Sequence, residues 1–490
     1  MGANGSKHDL VLRGGTVIDG TGAPRIKADI AVDDDCITAV GDIPPDVGAR
    51  EEDVSGLMVA PGFIDAHTHD DRLLLSDPTV ACKASQGVTT VVTGNCGVSL
   101  APLALAGPPP PPLDLISPLA EGFFAEFADY LSALDKDPPA INALCQVGHS
   151  SLRAGTMDSL DRPATDTEVK TMRGCLEKAL AAGAIGLSTG LAYAPAFAAP
   201  TEEVVELAKA VNASGGIHTT HMRDESEGVI DSLDETFRIG READVPVVIS
   251  HMKCSGHHNH GRSPEAMAHI DAARPRQSIA MDVYPYAASS TILGMDFIEG
   301  AEIVLITWSK GMPEMAGRNL YEIADEMGTG LEDTVAALQP AGAVYFSMDE
   351  DDVRRFLANP SAMIGSDGLP HDEMPHPRLW GTFPRVLGHY ARDEGLFSLE
   401  EAVRKMTSLP ASRFGLGDRG VVCKGSVADL VIFDAETVID AATFADPKQP
   451  ARGIHSVMVG GREVWKDGAT TGARPGRAIR GQELTPAQVS

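Results

Sequence analysis

The chain holds 490 residues, with 69 acidic against 40 basic side chains and a formal charge of −29. An apolar share of 43% beside 22% charged residues supplies a large core and excludes disorder for most of the length. So acidic a balance also excludes the clustered Lys and Arg by which nucleic acids and anionic membranes are gripped.

The N-terminus, MGANGSKHDL, lacks the apolar core of an export signal. Met1 and Gly2 with Ser6 match the myristoylation pattern, which is read as chance because the motif is short and its residues are common. The first 60 residues then read as short strands and turns: Asp9 to Leu12, Thr16 to Ile18, Asp29 to Val32 and Cys36 to Val40 cluster β-formers between Gly, Asp and Pro. From Met58 the texture changes to apolar runs of strand length separated by helix-period segments, as in βα units around a parallel sheet. The eight runs are Met58 to Ala66, Val88 to Thr93, Ile141 to Val147, Ala184 to Ser188, Gly216 to Thr220, Pro246 to Ser250, Ser278 to Val283 and Ala362 to Gly365. All fall short of the roughly 20 residues that cross a bilayer. Pro108 to Pro112 form a stiff extended connector after the second run. Thr165 with Glu168, and Ser398 with Glu401, are capping boxes ahead of amphipathic helices.

About 75 residues separate the last two runs, too many for a plain crossover helix, and they are rich in helix formers from Ile303 to Leu338. An inserted helical subdomain over the barrel mouth is expected at about 287–345. After Phe414 strand-like segments return in Asp429 to Phe433, His455 to Val459 and Arg462 to Trp465. The expected fold is an α/β chain built on a TIM-type (β/α)8 barrel over 61–414. Its two ends, 1–60 and 415–490, pair into a small β-sandwich domain. Seven cysteines, an odd number without framework spacing, point to free thiols and a cytoplasmic protein.

Active sites of parallel barrels lie at the carboxyl ends of the strands. Run one ends in Asp65-Ala66-His67-Thr68-His69, where two residues of separation in extended chain put both imidazoles on one face. Run two ends in Gly94-Asn95-Cys96, run five in His218-Thr219-Thr220-His221, run six in Ser250-His251-Met252-Lys253, and run eight in Gly365-Ser366-Asp367-Gly368. Any one such residue, taken alone, reads more readily as packing or a structural hydrogen bond. Four His, one Cys and one Asp at the ends of five runs read instead as a catalytic metal site, and that mixture of N, S and O donors suits zinc. His218, three residues before His221, points to the other side of the strand and is expected to be structural. His149 and Arg153, after run three, are candidates for the mouth or for loop support.

The stretch Ala60-Pro61-Gly62-Phe63-Ile64-Asp65-Ala66-His67-Thr68-His69 resembles the first metal motif of the amidohydrolase superfamily. With Gly94-Asn95-Cys96-Gly97, Ser250-His251-Met252-Lys253 and Gly365-Ser366-Asp367-Gly368-Leu369-Pro370-His371, the chain resembles the N-acyl-D-amino-acid deacylases, or D-aminoacylases, over nearly its whole length. That resemblance implies one tightly bound Zn2+ on Cys96, His221 and His251. It implies a second, weaker or vacant position at His67, His69 and Asp367. Related hydantoinases bridge two metals with a carboxylated Lys at the end of strand four; here that strand reads Ala184 to Gly190 without Lys, and Cys96 is the substitute.

The implied reaction is zinc-dependent hydrolysis of N-acyl-D-amino acids, with Asp367 as base and acid. The resemblance assigns the substrate carboxylate to Lys253, Tyr284 and Ser290, with Arg378 nearby. From the residues alone, Lys253 lies on the face of His251, Tyr284 reads equally as core, Ser289 competes with Ser290, and Arg378 reads equally as a surface residue. No Lys, Arg or His occurs from Gln277 to Ser309, which favours neutral apolar substrate side chains, with Ile292, Leu293, Met295, Ile298, Tyr345 and Met348 available as a pocket. The alternatives are an N-acyl-D-glutamate or N-acyl-D-aspartate deacylase, a cyclic-amide hydrolase, and a non-catalytic descendant. The last is disfavoured because all six ligands are present. Only a small-molecule partner is expected, with no nucleic acid and no membrane.

Overall fold

In the computed structural model, which describes residues 7–485, His8–Val17 is one ten-residue strand where two short ones were expected. A register shift between Leu12 and Gly15 lets a single strand bend and continue. The Met1, Gly2 and Ser6 pattern lies outside the described residues. His8–Val17 pairs antiparallel with Ile26–Asp33 and parallel with Gly48–Asp53 and Met58–Pro61. Met58–Pro61 in turn takes Leu430–Phe433, followed by Ile454–Val459 and Arg462–Lys466. The two ends of the chain thus build one nine-stranded sheet, whose apolar face buries Leu10, Leu12, Ile30, Val59, Leu430, Ile432 and Met458 together.

The run expected as the first barrel strand is therefore divided. Met58–Pro61 belongs to the small sheet, and only Phe63–Asp65 enters the barrel. Gly62 sits at the break because the chain passes so close to Thr89 that a Cβ there would lie 2.2 Å from its Cγ2.

The remaining barrel strands are Val88–Thr93, Asn142–Cys145 continued by Val147–Gly148, Gly186–Gly190, Ile217–His221, Val247–Ile249, Ile279–Val283 and Ala362–Ile364. Neighbours pair in parallel around the ring. The ring closes through one parallel bridge, Thr68 to Gly368, and the amide bonds Ala66 to Ile364 and Asp367 to His67, so the seam between the first and eighth strands is thin. Inside, Ile64, Val92, Leu144, Ile185, Ile217, Val248, Ala280 and Met363 form one apolar cluster, a filled core and not a pore. The capping box at Thr165 opens the helix Asp166–Ala182, and Ser398 accepts from the Glu401 amide ahead of Leu399–Met406.

Two features differ from expectation. The insertion carries helices at Leu320–Met327 and Leu331–Leu338, but also a three-stranded antiparallel sheet of Ser289–Ile292, Val304–Ser309 and Ala341–Tyr345. Val304–Ser309 sits among helix formers yet is itself β-branched and aromatic, and it packs into the insertion's own core of Leu293, Ile298, Ile306, Leu320 and Tyr345. The last described residues also leave the small sheet. Ala478–Ile479 pairs with the third barrel strand at Ala143 and Leu144, beside the Ile185 amide that donates to the Cys145 carbonyl. All seven cysteines are free, and among the described residues no helix is long and apolar enough to cross a membrane.

Candidate metal centre and active-site cleft

Strand alternation places Ile217, Thr219 and His221 on the inner face of the fifth strand and His218 on the outer. His218 is buried there against Thr189, its Nε2 3.1 Å from Oγ1, and belongs to neither group of potential metal ligands. The other donors follow strand ends, and three of them need an unusual backbone. Cys96, His251 and Asp367 all have positive φ, at 53°, 35° and 51°. Left-handed backbone costs a non-glycine residue about 1–2 kcal/mol. Its recurrence at three strand ends turns each side chain inward where regular alternation would not; His251 stands three residues beyond the inward Val248. Gly365 helps at the eighth strand, since a Cβ there would lie 2.6 Å from the His67 Cβ.

Two groups of potential ligands result. His67, His69, Cys96 and Asp367 form one, and Cys96, His221 and His251 the other, with the ligand atoms of each within 4.8 Å of one another. The Cys96 Sγ is common to both. It lies 3.2 Å from His67 Nε2 and 3.3 Å from His251 Nε2. A tetrahedral zinc sphere separates S and N ligands by roughly 3.5 Å, so the spacing fits. Asp367 Oδ1 is 3.1 Å from His69 Nε2 and 3.5 Å from His67 Nε2, while its Oδ2 meets Arg378 Nη2 at 2.9 Å. The buried Nδ1 atoms of His69 and His221 have no partner, as expected of a site built around a further group.

Burial alone would push the Cys96 thiol up, but His67 and His251, with hydrogen bonds from His221 and His251, hold it well below the ordinary thiol range. Asp367 is likewise penalised by burial, yet Arg378, His67, His251 and the His69 hydrogen bond keep it ionised far below the usual carboxylate range. The same anions act on the rings. Burial would lower His69, and Asp367 with Cys96 raise it to about 9; burial and Lys253 would lower His251, and Glu225 with Cys96 raise it to about 9. Anions that hold protons on buried imidazoles this firmly stabilise a metal cation in their place.

Beside the clusters opens a cleft of about 610 Å3, lined among others by Lys253, Tyr284, Ser289, Ser290 and Asp367. The Ser290 hydroxyl is buried without a partner. Arg378 is not at the cleft wall: it is fully buried behind Asp367, its guanidinium 4.5 Å from the Tyr284 ring centre. The apolar wall also differs from expectation. It is made by Val98, Pro112, Leu115, Phe297 and Leu369, so the proline-rich connector reaches the cleft. Leu293, Ile298 and Tyr345 instead fill the insertion's core, and Met348 packs on Tyr284 and Tyr286. His149 and Arg153 are not at the mouth either. Both are fully buried and share Glu203, at 2.9 Å and 2.5 Å, because a buried guanidinium requires a carboxylate.

The model of the amidohydrolase family matches residues 50–270 and 331–470. The chain belongs to that family. Within it, this amidohydrolase is 57% identical to the D-aminoacylase of Alcaligenes xylosoxydans xylosoxydans over 96% of its own length and 97% of the relative's. A crystal structure of D-aminoacylase superposes with a TM-score of 0.95 at 57% identity, covering 96% of this chain and 100% of that one. The N-acyl-D-glutamate deacylase of Bordetella bronchiseptica, solved with zinc and a phosphonate mimic of the reaction's tetrahedral intermediate, gives 0.94 at 44% identity, covering 97% and 100%.

Sequence reasoning missed two carboxylates of this amidohydrolase. Glu225 Oε1 lies 3.0 Å from His251 Nδ1, its Oε2 2.7 Å from Lys253 Nζ and 3.7 Å from His221 Nε2. The His251 Nε2 turns to Cys96, while its Nδ1 faces both the Glu225 carboxylate and Lys253 Nζ, the latter at 2.7 Å, so Glu225 balances the Lys253 charge beside that ring. Asp282 Oδ2 accepts from His67 Nδ1 at 3.3 Å and orients that ring, and its Oδ1 accepts from the His251 amide at 2.9 Å. Asp282 was detectable as the one charged residue inside the apolar run Ser278 to Val283; Glu225, in a loop, gave no such signal. Glu225→Gln is expected to weaken zinc binding by about 10- to 100-fold, measured by competition with a chelator. Unchanged affinity would show that Glu225 serves only Lys253.

Proposed function

We propose that this amidohydrolase hydrolyses N-acyl-D-amino acids with neutral side chains to a carboxylate and the free D-amino acid. The observation that carries this reading is the meeting of both ligand clusters on Cys96 inside one cleft that also presents Asp367, Lys253, Tyr284 and Ser290. Cys96, His221 and His251 would hold a tightly bound zinc, and His67, His69 and Asp367, sharing Cys96, a second and weaker one. When bound, zinc lowers the pKa of water and polarises a carbonyl oxygen.

The chain's own groups do the rest. Asp367, kept ionised by Arg378, takes a proton from the attacking water on a carboxylate oxygen and hands it to the amide nitrogen as the C–N bond breaks. Lys253, steadied by Glu225, offers its ammonium to the substrate carboxylate, and Ser290 its unpartnered hydroxyl. Arg378 acts from behind, through Asp367 and Tyr284. Among the described residues, the cationic side chains on the cleft wall are Lys253 and the ligand histidines His69, His221 and His251, so a second substrate carboxylate would find no further counter-charge there, while Val98, Leu115, Phe297 and Leu369 suit an apolar group. A cytoplasmic location fits the seven unpaired cysteines.

The test is amine release from N-acetyl-D-methionine, N-acetyl-L-methionine and N-acetyl-D-glutamate by zinc-analysed enzyme. The expected order in kcat/KM puts the first above the other two by at least about tenfold, the scale of a mismatched or unpaired side chain. Preference for N-acetyl-D-glutamate would move the protein to the acidic-substrate deacylases, and preference for the L-isomer would overturn the reading.

A further inference from the structure

Lys83 is fully buried and stands in the short helix Ala81–Ala84 ahead of the second barrel strand. A buried ammonium persists only where carboxylates and hydrogen bonds replace water. Here its Nζ lies 2.9 Å from Asp65 Oδ2, 2.6 Å from Ser366 Oγ and 3.4 Å from Asp70 Oδ2. Asp65 ends the first barrel strand and Ser366 follows the eighth, so the ammonium spans the seam at which the ring is thinnest. Asp65 completes the staple with Oδ1, which accepts from the Ser366 amide at 2.8 Å and the His67 amide at 3.3 Å. Apart from this group, the seam beside the site is carried by the Thr68 to Gly368 bridge and the amide bonds Ala66 to Ile364 and Asp367 to His67. Asp367, next to Ser366, holds a left-handed backbone that needs support from its surroundings.

We propose that Lys83 is a positioning residue: by stapling Asp65 to Ser366 across the barrel seam, it fixes Asp367 against His67 and His69. It touches neither substrate nor ligand atoms, and no part of the roles assigned above uses it. The inference rests on the role proposed for Asp367, and it predicts a selective effect. The cluster of His67, His69 and Asp367 joins the two strands of the seam and is disturbed when the staple is cut. The cluster of Cys96, His221 and His251 lies on other strands and is not.

The test compares Lys83→Met, Lys83→Arg and Ser366→Ala with the parent, in folded protein carrying one zinc per chain. Two quantities are read: kcat and KM for N-acetyl-D-methionine, and the affinity for a second zinc by titration. In Lys83→Met, kcat is expected to fall about 100-fold, the scale of an ångström's misplacement of a catalytic group, with KM within about threefold of the parent and the first zinc retained. Second-zinc affinity falls about tenfold or more, as when an outer partner is lost. Ser366→Ala shows the same pattern more weakly, and Lys83→Arg restores part of kcat. Parental kcat and parental second-zinc affinity in Lys83→Met overturn the proposal, as does a loss of kcat that merely follows loss of the first zinc. Should Lys83→Met fail to fold, Ser366→Ala decides by the same criteria. Because zinc titration needs no turnover, the proposal stands or falls even if the parent proves inactive on N-acyl-D-amino acids.

Discussion

Asp367→Asn is expected to lower kcat on N-acetyl-D-methionine by roughly 10²- to 10⁴-fold while the chain keeps one zinc and a parental fold. The substitution is nearly isosteric, and its carbonyl still accepts from Arg378 Nη2, which lies 2.9 Å from Oδ2 in the parent. What is lost is the capacity to take a proton. The parent carboxylate is ionised well below neutral pH because Arg378 and the surrounding imidazoles outweigh the burial penalty, so it is an acceptor throughout the working range. An amide has no such state. Steady-state kinetics beside metal analysis check the outcome. Parental turnover at one zinc per chain would show that another group carries the proton, and loss of zinc in step with activity would make Asp367 a ligand before anything else.

The second large effect is expected at Cys96. Cys96→Ala should strip zinc from both clusters at once, because Sγ is the one ligand atom common to them. The loss of affinity should exceed the roughly 10- to 100-fold typical of removing an outer hydrogen-bond partner, since here a thiolate is deleted from the ligand set itself. The thiolate is available because the flanking His67 and His251 hold it deprotonated against the cost of burial. Zinc analysis after dialysis, with thermal unfolding as a control for folding, measures this directly. A full zinc complement in folded Cys96→Ala would mean that the histidines and Asp367 suffice, and that Cys96 is packing. His218→Ala, at an equally buried but outward-facing position, is the contrasting control in the same assay.

The sequence by itself determined the barrel, the pairing of both chain ends and the side chains gathered at one rim. Each of these follows from local pattern: strands buried on both faces read as apolar runs, and the residue after each run stands at a strand's carboxyl end. Parity along the chain was enough to set His221 inward and His218 outward. Sequence parity failed for His251, where a positive φ overrides the alternation.

Only the tertiary structure decided which groups surround those ligands. Asp282 meets His67 across 215 residues, Arg378 reaches Ser290 across 88, and Lys83 joins Ser366 across 283. It also exchanged the expected apolar wall for residues of the proline-rich connector and of the loops, and it drew His149 and Arg153 inward onto Glu203. The division has one physical cause. Backbone periodicity is written within a few neighbouring residues, whereas the partners of a buried charge are whichever groups the closed ring brings near it, and closure depends on the whole chain.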